Sequence, residues 1–194
     1  MLNFNLIAAV CENSGIGLNG DLPWSLKCFH VLCFIHSRSE YEYFTQTTKR
    51  RCDITKHNVV IMGRLTYLSI PEHERPLADR FNVVLSTTLS PTDLPTNVLL
   101  FPNLESAMKR LEQRDLRERI ENVWIVGGSG VYREAMSSPR CHRLYITNIK
   151  QKFNCDIFFP NIPNSFKEIG PDPETPLGVQ EENGVQYEYK IYQK

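Results

Sequence analysis

The sequence predicts an α/β fold, in which a mixed but largely parallel twisted sheet is flanked by helices and carries an antiparallel C-terminal strand. Short apolar runs alternate with helical patterns along the chain, which is typical of a parallel sheet. Most runs are apolar at every position, as expected for strands covered on both faces. The run Val185–Tyr192 instead alternates, which indicates an antiparallel strand near the sheet edge. Residues 1–194 are enough for a substantial core and are interpreted as a single domain.

Each strand is predicted from a short apolar run bounded by turn signals. In chain order, the predicted strands are Phe4–Val10, Asn58–Met62, Asn82–Ser86, Val98–Phe101, Asn122–Val126, Leu144–Ile149 and Val185–Tyr192. The segment 162–184 is rich in proline, glycine and acidic residues, and it is predicted to be a surface connection.

Helices are predicted where apolar positions recur at helical spacing or where a strand runs into a glycine turn. The segment SEYEYFTQTT has Ser37 or Ser39 available as its N-cap. The other predicted helices begin after Gly63, run from Leu104 to Gln113, and follow Gly127 and Gly128 as far as Met136.

Composition limits the class of ligand. The 22 basic and 22 acidic side chains give a formal charge of zero without a basic block, so a small molecule is expected and a nucleic acid is not. The six cysteines form no C-x-x-C pair and the histidines do not fall at zinc-ligand spacing, so we expect reduced thiols and no metal. No apolar run is long enough for a signal sequence or a membrane span, so a soluble cytoplasmic protein is expected.

Ligands of open α/β sheets bind at the carboxyl ends of the strands. That rule selects three stretches of this chain, which are the loop after Val10, the turn after Met62 and the turn after Val126.

Two of these stretches suit a phosphate. In WIVGGSGVYREAM, glycines between a strand and a helix allow close backbone approach to an anion, although the pattern is not a G-x-G-x-x-G fingerprint. In VVIMGRLTYLSIP, Gly63 ends a strand, and Arg64 and Thr66 supply a guanidinium and a hydroxyl suited to a diphosphate. Each stretch alone also fits a structural turn, but two on one sheet favour a dinucleotide.

The third stretch, GIGLNGDLPW, has three glycines and turn dipeptides, which favour a loop that closes over a ligand. A surface loop without function is the alternative. Farther along, Glu40 and Phe44 share a helix face, with Tyr41 beside them. A carboxylate on an aromatic face suits hydrogen bonding to a flat heterocycle, and the alternative is a solvated glutamate.

Four stretches together resemble the dihydrofolate reductase family in order and spacing over nearly the whole chain. They are IAAVCENSGIGLNGDLPW, VVIMGRLTYLSIPEHERPLADR, VWIVGGSGVYREAM and CDIFFP. The resemblance implies NADPH-dependent reduction of 7,8-dihydrofolate to tetrahydrofolate, which feeds one-carbon metabolism and thymidylate synthesis. It also implies a monomer that binds antifolate inhibitors.

The resemblance assigns roles residue by residue. Glu40 matches the acidic residue that hydrogen-bonds the pterin, while Leu22 and Trp24 match the loop that covers the nicotinamide, so these three are the expected catalytic residues. Arg80 matches the guanidinium that pairs with the α-carboxylate of the glutamate tail. The implied substrate-binding residues are Ile7, Ala9, Glu40, Tyr41, Phe44, Ile70, Leu77, Arg80, Val126 and Thr147. The implied cofactor-binding residues are Ala9, Ile16, Gly63, Arg64, Leu65, Thr66, Ser86, Thr87, Gly127, Gly128, Ser129, Gly130, Val131 and Tyr132. The Gly127–Gly128 bond matches one that is cis in the family, and Arg75–Pro76 is a second candidate.

The chain departs from the family pattern in two places. Trp24 and Glu40 lie farther apart than in the family, and the surplus is the apolar stretch Cys28–His36. We expect it to bulge outward as a surface loop; an exposed contact patch, a lining of the folate entrance or an extension of the helix are the alternatives. Thr87 and Pro102 stand where animal members usually carry arginine, so a weaker preference for NADPH over NADH is expected.

Two other functions remain open from the sequence. One is a different pterin or pyrimidine reductase on the same fold, against which Arg80 and the GDLPW loop argue. The other is a non-catalytic folate- or nucleotide-binding module, which would bind NADPH tightly without oxidising it.

Overall fold

The computed structural model describes residues 1–24 and 38–194. The strands are β1 Phe4–Cys11, β2 Gly15–Gly17, β3 His57–Gly63, β4 Arg80–Leu85, β5 Val98–Phe101, β6 Ile120–Gly127, β7 Cys141–Ile149, β8 Ile157–Phe158, β9 Lys167–Ile169, β10 Gln180–Glu182 and β11 Val185–Gln193. The helices are α1 Arg38–Lys49, α2 Arg64–Ser69, α3 Leu104–Leu111, α4 Arg114–Arg117 and α5 Ser129–Ser137.

The main sheet has the strand order β10-β11-β7-β1-β6-β3-β4-β5, with β9 paired to β11. The pairs from β7 to β5 are parallel, and β11 is antiparallel to β7. The predicted α/β fold with an antiparallel C-terminal strand is therefore confirmed.

Helices cover both faces of the sheet, which explains the uninterrupted apolar strands. In β3, Val59 and Ile61 face the core built with α3 and α5, while Val60 and Met62 face the core that contains Tyr43 of α1. Successive side chains of a strand point to opposite faces, so a strand buried on both sides is apolar at every position.

Some predicted elements end elsewhere or differ in kind. The helix from Leu104 stops at Leu111, and α4 follows separately as a single turn. The helix that carries Glu40 begins at Arg38, so Ser39 lies inside it and is not its N-cap, while Ser37 is outside the described residues. The acidic and proline-rich segment 162–184 is more than a connection, because β9 and β10 both pair with β11.

A further small sheet pairs β2 with β8. Neither strand was predicted, because each has at most three residues and forms by pairing with residues about 140 positions away along the chain. The Cys28–His36 stretch lies outside the described residues. In the part of the chain that is described, no helix has the length and apolar character needed to cross a membrane.

Candidate active site

Three neighbouring strands, β1, β6 and β3, bring the three predicted stretches together at their carboxyl ends. Gly63 ends β3 and Gly127 ends β6, and a Cβ built on Gly63 would lie 3.8 Å from Gly128 N and 3.3 Å from Val131 Cγ2. A Cβ on Gly128 would lie 3.2 Å from Thr66 Oγ1. Cβ atoms at Gly63 and Gly128 would press against Val131 and Thr66, so the glycines allow the starts of α2 and α5 to lie close together. The groove between these two helix starts is the cleft.

The Gly127–Gly128 peptide bond is cis, as is Arg75–Pro76, and both were predicted. Gly127 also has a φ of +124°, a backbone conformation that favours glycine. Gly128 is the residue before α5 and has no side chain with which to cap the helix, while a Cβ at Gly130 would meet nothing within 4 Å. No side chain among the described residues caps the start of α5, so its first N–H groups are left for an anion beside the cleft.

Thr66 of α2 lies beside Gly127 and Gly128 in this cleft, and Arg64 is the first residue of the same helix. The hydroxyl groups of Ser86 and Thr88 lie 3.2 Å apart just beyond the end of β4, the strand next to β3. In the described part of the chain Arg64 is half-buried and makes no ion pair. Its charge is thus not neutralised by those side chains.

Glu40 lies in the first turn of α1 and reaches the sheet at Thr147 of β7. Thr147 Oγ1 donates a hydrogen bond to Glu40 Oε1 over 3.4 Å. Glu40 is half-buried as a residue, but desolvation of its carboxyl group raises its pKa to about 7. The hydrogen bond from Thr147 acts in the opposite direction, and the charge of Glu182 raises the pKa further. Near neutral pH this carboxyl group can therefore hold a proton.

An apolar wall extends from Glu40 along the same face of the sheet. Ile7 and Leu77 are buried in one cluster, against which Phe44, Ile70 and Val126 pack as partly buried side chains. At the rim, the rings of Tyr41 and Phe44 stack with 6.2 Å between their centroids. Tyr41 is 41% exposed and donates a hydrogen bond to Glu74. The wall suits one face of a flat ring system.

Arg80 lies at the far end of this wall. It is 9% exposed, and its Nη1 donates to Thr48 Oγ1 over 2.7 Å and its Nε to the carbonyl oxygen of Ala78 over 3.0 Å. Its guanidinium carbon is 5.9 Å from the centre of the Phe44 ring. Neutral groups hold this cation in place, so its charge can serve an anionic ligand.

The loop after β2 brings Trp24 against the sheet. Trp24 is 7% exposed, packs with Cys11, Ile149 and Tyr187, and meets the edge of Phe153 with 6.1 Å between ring centroids. Leu22 is more exposed, at 36%.

Comparison with known proteins identifies this arrangement. The family model described as dihydrofolate reductase matches residues 3–194. A dihydrofolate reductase of Drosophila melanogaster is 62% identical over 194 residues, which cover 100% of this chain and 99% of the relative. One of Aedes albopictus is 47% identical over 194 residues, covering 100% of this chain and 98% of the relative. The solved structure of Schistosoma mansoni dihydrofolate reductase superposes with a TM-score of 0.82 at 32% identity and covers 99% of this chain and 98% of that one.

The chain belongs to the dihydrofolate reductase family. The family resemblance inferred from the four sequence stretches is therefore confirmed.

Most residues matched to the dihydrofolate reductase pattern lie around the one cleft. Glu40, Thr147 and the apolar wall form one end, and the glycines with Thr66 and Val131 form the other, where Arg64 begins the helix that carries Thr66. Tyr132 joins the two, because its hydroxyl donates to the carbonyl oxygen of Ile7 over 2.8 Å. Ala9 and Ile16 are half-buried beside Trp24 and the large core, respectively. Leu65 is 70% exposed and Thr87 is exposed, so these two lie at the protein surface.

Sequence reasoning missed Glu182, whose charge acts on Glu40. The residue belongs to β10, a strand of three residues inside the segment expected to be a surface connection. Its Oε2 accepts a hydrogen bond from Ser39 N over 3.3 Å, which ties β10 to the start of α1. No local pattern marks this residue, because its role depends on a contact between residues 143 positions apart.

Proposed function

We propose that the chain reduces 7,8-dihydrofolate to 5,6,7,8-tetrahydrofolate with NADPH. The observation that carries this proposal is the position of Glu40. Its carboxyl group, whose pKa is raised to about 7, lies at one end of the apolar wall, and the wall leads to the glycine-lined cleft. Membership of the dihydrofolate reductase family supports the same reaction.

Glu40 binds the pterin ring in this proposal. Its carboxyl group hydrogen-bonds the 2-amino group and N3, and Thr147 orients it from behind. A carboxyl group that can hold a proton near neutral pH favours the protonated form of the pterin, which accepts hydride more readily at C6. Because Glu40 does not reach N5, we assign the final proton transfer to water.

Arg80 binds the other end of the substrate. A buried guanidinium held by hydrogen bonds to Thr48 and Ala78 can offer its charge to an anion at the end of the wall, where the α-carboxylate of the glutamate tail would lie. Ile7, Phe44, Ile70 and Leu77 supply apolar contacts between these two polar anchors.

The residues of the cleft fit a nicotinamide dinucleotide. Gly63, Gly127 and Gly128 leave room for a diphosphate, which would accept hydrogen bonds from Thr66 and from the N–H groups at the start of α5. When bound, NADPH supplies the hydride from C4 of its nicotinamide. We assign the adenosine 2′-phosphate to Arg64, with the hydroxyls of Ser86, Thr87 and Thr88 near it.

The loop with Leu22 and Trp24 excludes water from the meeting point of the two rings. Trp24 is anchored by packing against Phe153, whereas Leu22 of the same loop is exposed. Exclusion of bulk water protects the transferred hydride and strengthens electrostatic contacts.

The test is loss of NADPH absorbance in the presence of dihydrofolate, measured for the wild-type chain and for Glu40→Gln. We expect turnover by the wild type and a fall of about 100-fold or more for Glu40→Gln at neutral pH, as for loss of a general acid–base group. Glu42→Gln is the matched control, because it removes the same charge from an exposed position of the same helix. Tight binding of NADPH without oxidation by the wild type would indicate a binding module, and equal rates for both variants would remove Glu40 from the mechanism.

A further inference from the structure

Cys11 and Cys155 place two thiols side by side next to the loop that enters the site. Their sulfur atoms are 3.8 Å apart, and both cysteines are free. Cys11 is the buried last residue of β1, whereas Cys155 is half-buried and lies just before β8. A disulfide requires about 2.05 Å between the sulfurs, so a shift of roughly 2 Å would join them.

The thiol pair lies where two distant segments are held together by hydrogen bonds. Asn13 Nδ2 donates to the carbonyl oxygen of Phe153 over 3.0 Å, and Asp156 N donates to the carbonyl oxygen of Gly17 over 3.0 Å. Pairing of β2 with β8 continues this contact. Residues 12–24, which lead to Leu22 and Trp24, are therefore held against residues 150–158 by non-covalent contacts that can open.

Gly15 connects the sulfur atoms to the loop directly. A Cβ built on Gly15 would lie 2.0 Å from Cys155 Sγ and 3.0 Å from Cys11 Sγ. The first residue of β2 thus rests on both sulfurs, so any change in their positions is transmitted to β2.

We propose that Cys11 and Cys155 form a reversible disulfide that fastens residues 12–24 to residues 150–158 and slows turnover. This consequence for turnover rests on the function proposed above. A loop that must open to exchange ligands cannot do so freely when a covalent bond closes its base.

The oxidant is a low-molecular-weight disulfide such as oxidised glutathione. The more accessible Cys155 attacks one of its sulfurs, forms a mixed disulfide and releases the first glutathione thiol. Cys11 then attacks the Cys155 sulfur, forms the protein disulfide and releases the second. Two protein thiols are oxidised, one glutathione disulfide is reduced, and the two thiol protons leave on the released glutathione.

The surroundings of Cys155 set the pace of this exchange. Desolvation first, and then the hydrogen bond and charge of Cys11 and the charge of Asp156, raise the pKa of Cys155 to about 11. Since the thiolate is the attacking form, the disulfide forms slowly at neutral pH and faster as the pH rises. The pair thus responds to sustained oxidising conditions.

The test treats the full-length reduced chain with oxidised glutathione, blocks the remaining thiols and maps the linked peptides by mass spectrometry. We expect a peptide that joins Cys11 to Cys155, and a fall in kcat of at least about twofold that a dithiol reductant restores, because opening of an active-site loop can limit turnover. Cys155→Ser should abolish both effects. Cys52→Ser is the matched control, because Cys52 is an exposed thiol outside the pair, and it should retain both effects.

Three outcomes would overturn the proposal. The first is that oxidised glutathione modifies the exposed Cys52 while no peptide links Cys11 to Cys155. The second is a linked peptide with an unchanged kcat. The third is an oxidative loss of kcat that persists in Cys155→Ser. The peptide map detects the disulfide whether or not the chain is catalytically active. Failure to reduce dihydrofolate would therefore refute the proposed function, and the map would still decide whether the disulfide forms.

Discussion

Thr147 and Glu40 form a hydrogen bond that joins the sheet to the first turn of α1, with 3.4 Å between Thr147 Oγ1 and Glu40 Oε1. Thr147 is 1% exposed and lies between Ala9 of β1 and Tyr189 of β11, its partners in the sheet. The Thr147 hydroxyl thus both orients the Glu40 carboxyl group and lowers its pKa, whereas burial raises that pKa. The position and the protonation of the carboxyl group are therefore coupled.

Thr147→Val should shift the pH profile of the enzyme towards alkaline pH. Removing a hydrogen bond to the charged form raises the pKa of Glu40 above its value of about 7, so the carboxyl group keeps its proton to higher pH. The measurement is kcat/KM for dihydrofolate as a function of pH, in which the decline on the alkaline side should move upward. Thr96→Val, at an exposed position, is the control and should leave the profile unchanged.

Glu182→Gln should shift the same profile in the opposite direction. The negative charge of Glu182 raises the pKa of Glu40, so its removal lets Glu40 ionise at lower pH. Glu181→Gln is a closely matched control on the same strand, since Glu181 instead accepts a hydrogen bond from Gln186 over 3.1 Å. Identical shifts for the two variants would mean that the effect is one of overall charge and not of the Glu182 position.

Glu40→Gln should stabilise the folded chain at alkaline pH. The pKa of Glu40 is raised on folding from 4.5 to about 7, so its favourable contribution is complete below about pH 4.5 and is lost as the pH rises through 7. The variant should gain about 3 kcal/mol in the free energy of unfolding relative to wild type between about pH 4.5 and pH 8. Thermal denaturation at both pH values measures this, with Glu42→Gln as the control. A difference between wild type and Glu40→Gln that did not change with pH would contradict the assignment of the raised pKa.

Arg80→Lys should weaken binding of dihydrofolate while affecting a pterin substrate without the glutamate tail much less. A lysine cannot reproduce the planar guanidinium that is fixed by Thr48 and Ala78 and could bind a carboxylate with two hydrogen bonds. We expect KM for dihydrofolate to rise about 10-fold or more, as for loss of a charge-assisted hydrogen bond. Arg75→Lys is the control, because the native Arg75 side chain donates to the carbonyl oxygens of Leu68 and Ile70. An equal loss with the tail-less substrate would place the role of Arg80 elsewhere.

The long elements could be predicted because their apolar pattern reflects the sheet itself. A strand such as His57–Gly63 is buried on both faces and leaves an unbroken apolar run, which a single sequence displays directly. In contrast, β2 and β8 are formed by contacts with each other, and β10 by contacts with β11. Nothing local distinguishes those short strands from turns.

The site divides in the same way. The glycines at the ends of β3 and β6 could be predicted because each forms a turn between a strand and a helix. That the two turns lie close together followed from the rule that ligands bind at the carboxyl ends of the strands of an open α/β sheet. Glu40 was recognisable as an acid among aromatic residues, but its raised pKa depends on burial and on Glu182, which is far away in sequence. The specific partners of Arg80 and Tyr132 likewise required the tertiary structure.

The position of β11 in the sheet has a consequence for synthesis of the chain. Tyr189 lies opposite Thr147, so the surroundings of Thr147, the partner of Glu40, are completed by β11, Val185–Gln193. A nascent chain halted by the ribosome before Val185 would leave β7 as an unpaired edge, with the backbone of Thr147 open to water or to another strand. The site can therefore become functional only after translation has delivered the C-terminal strand.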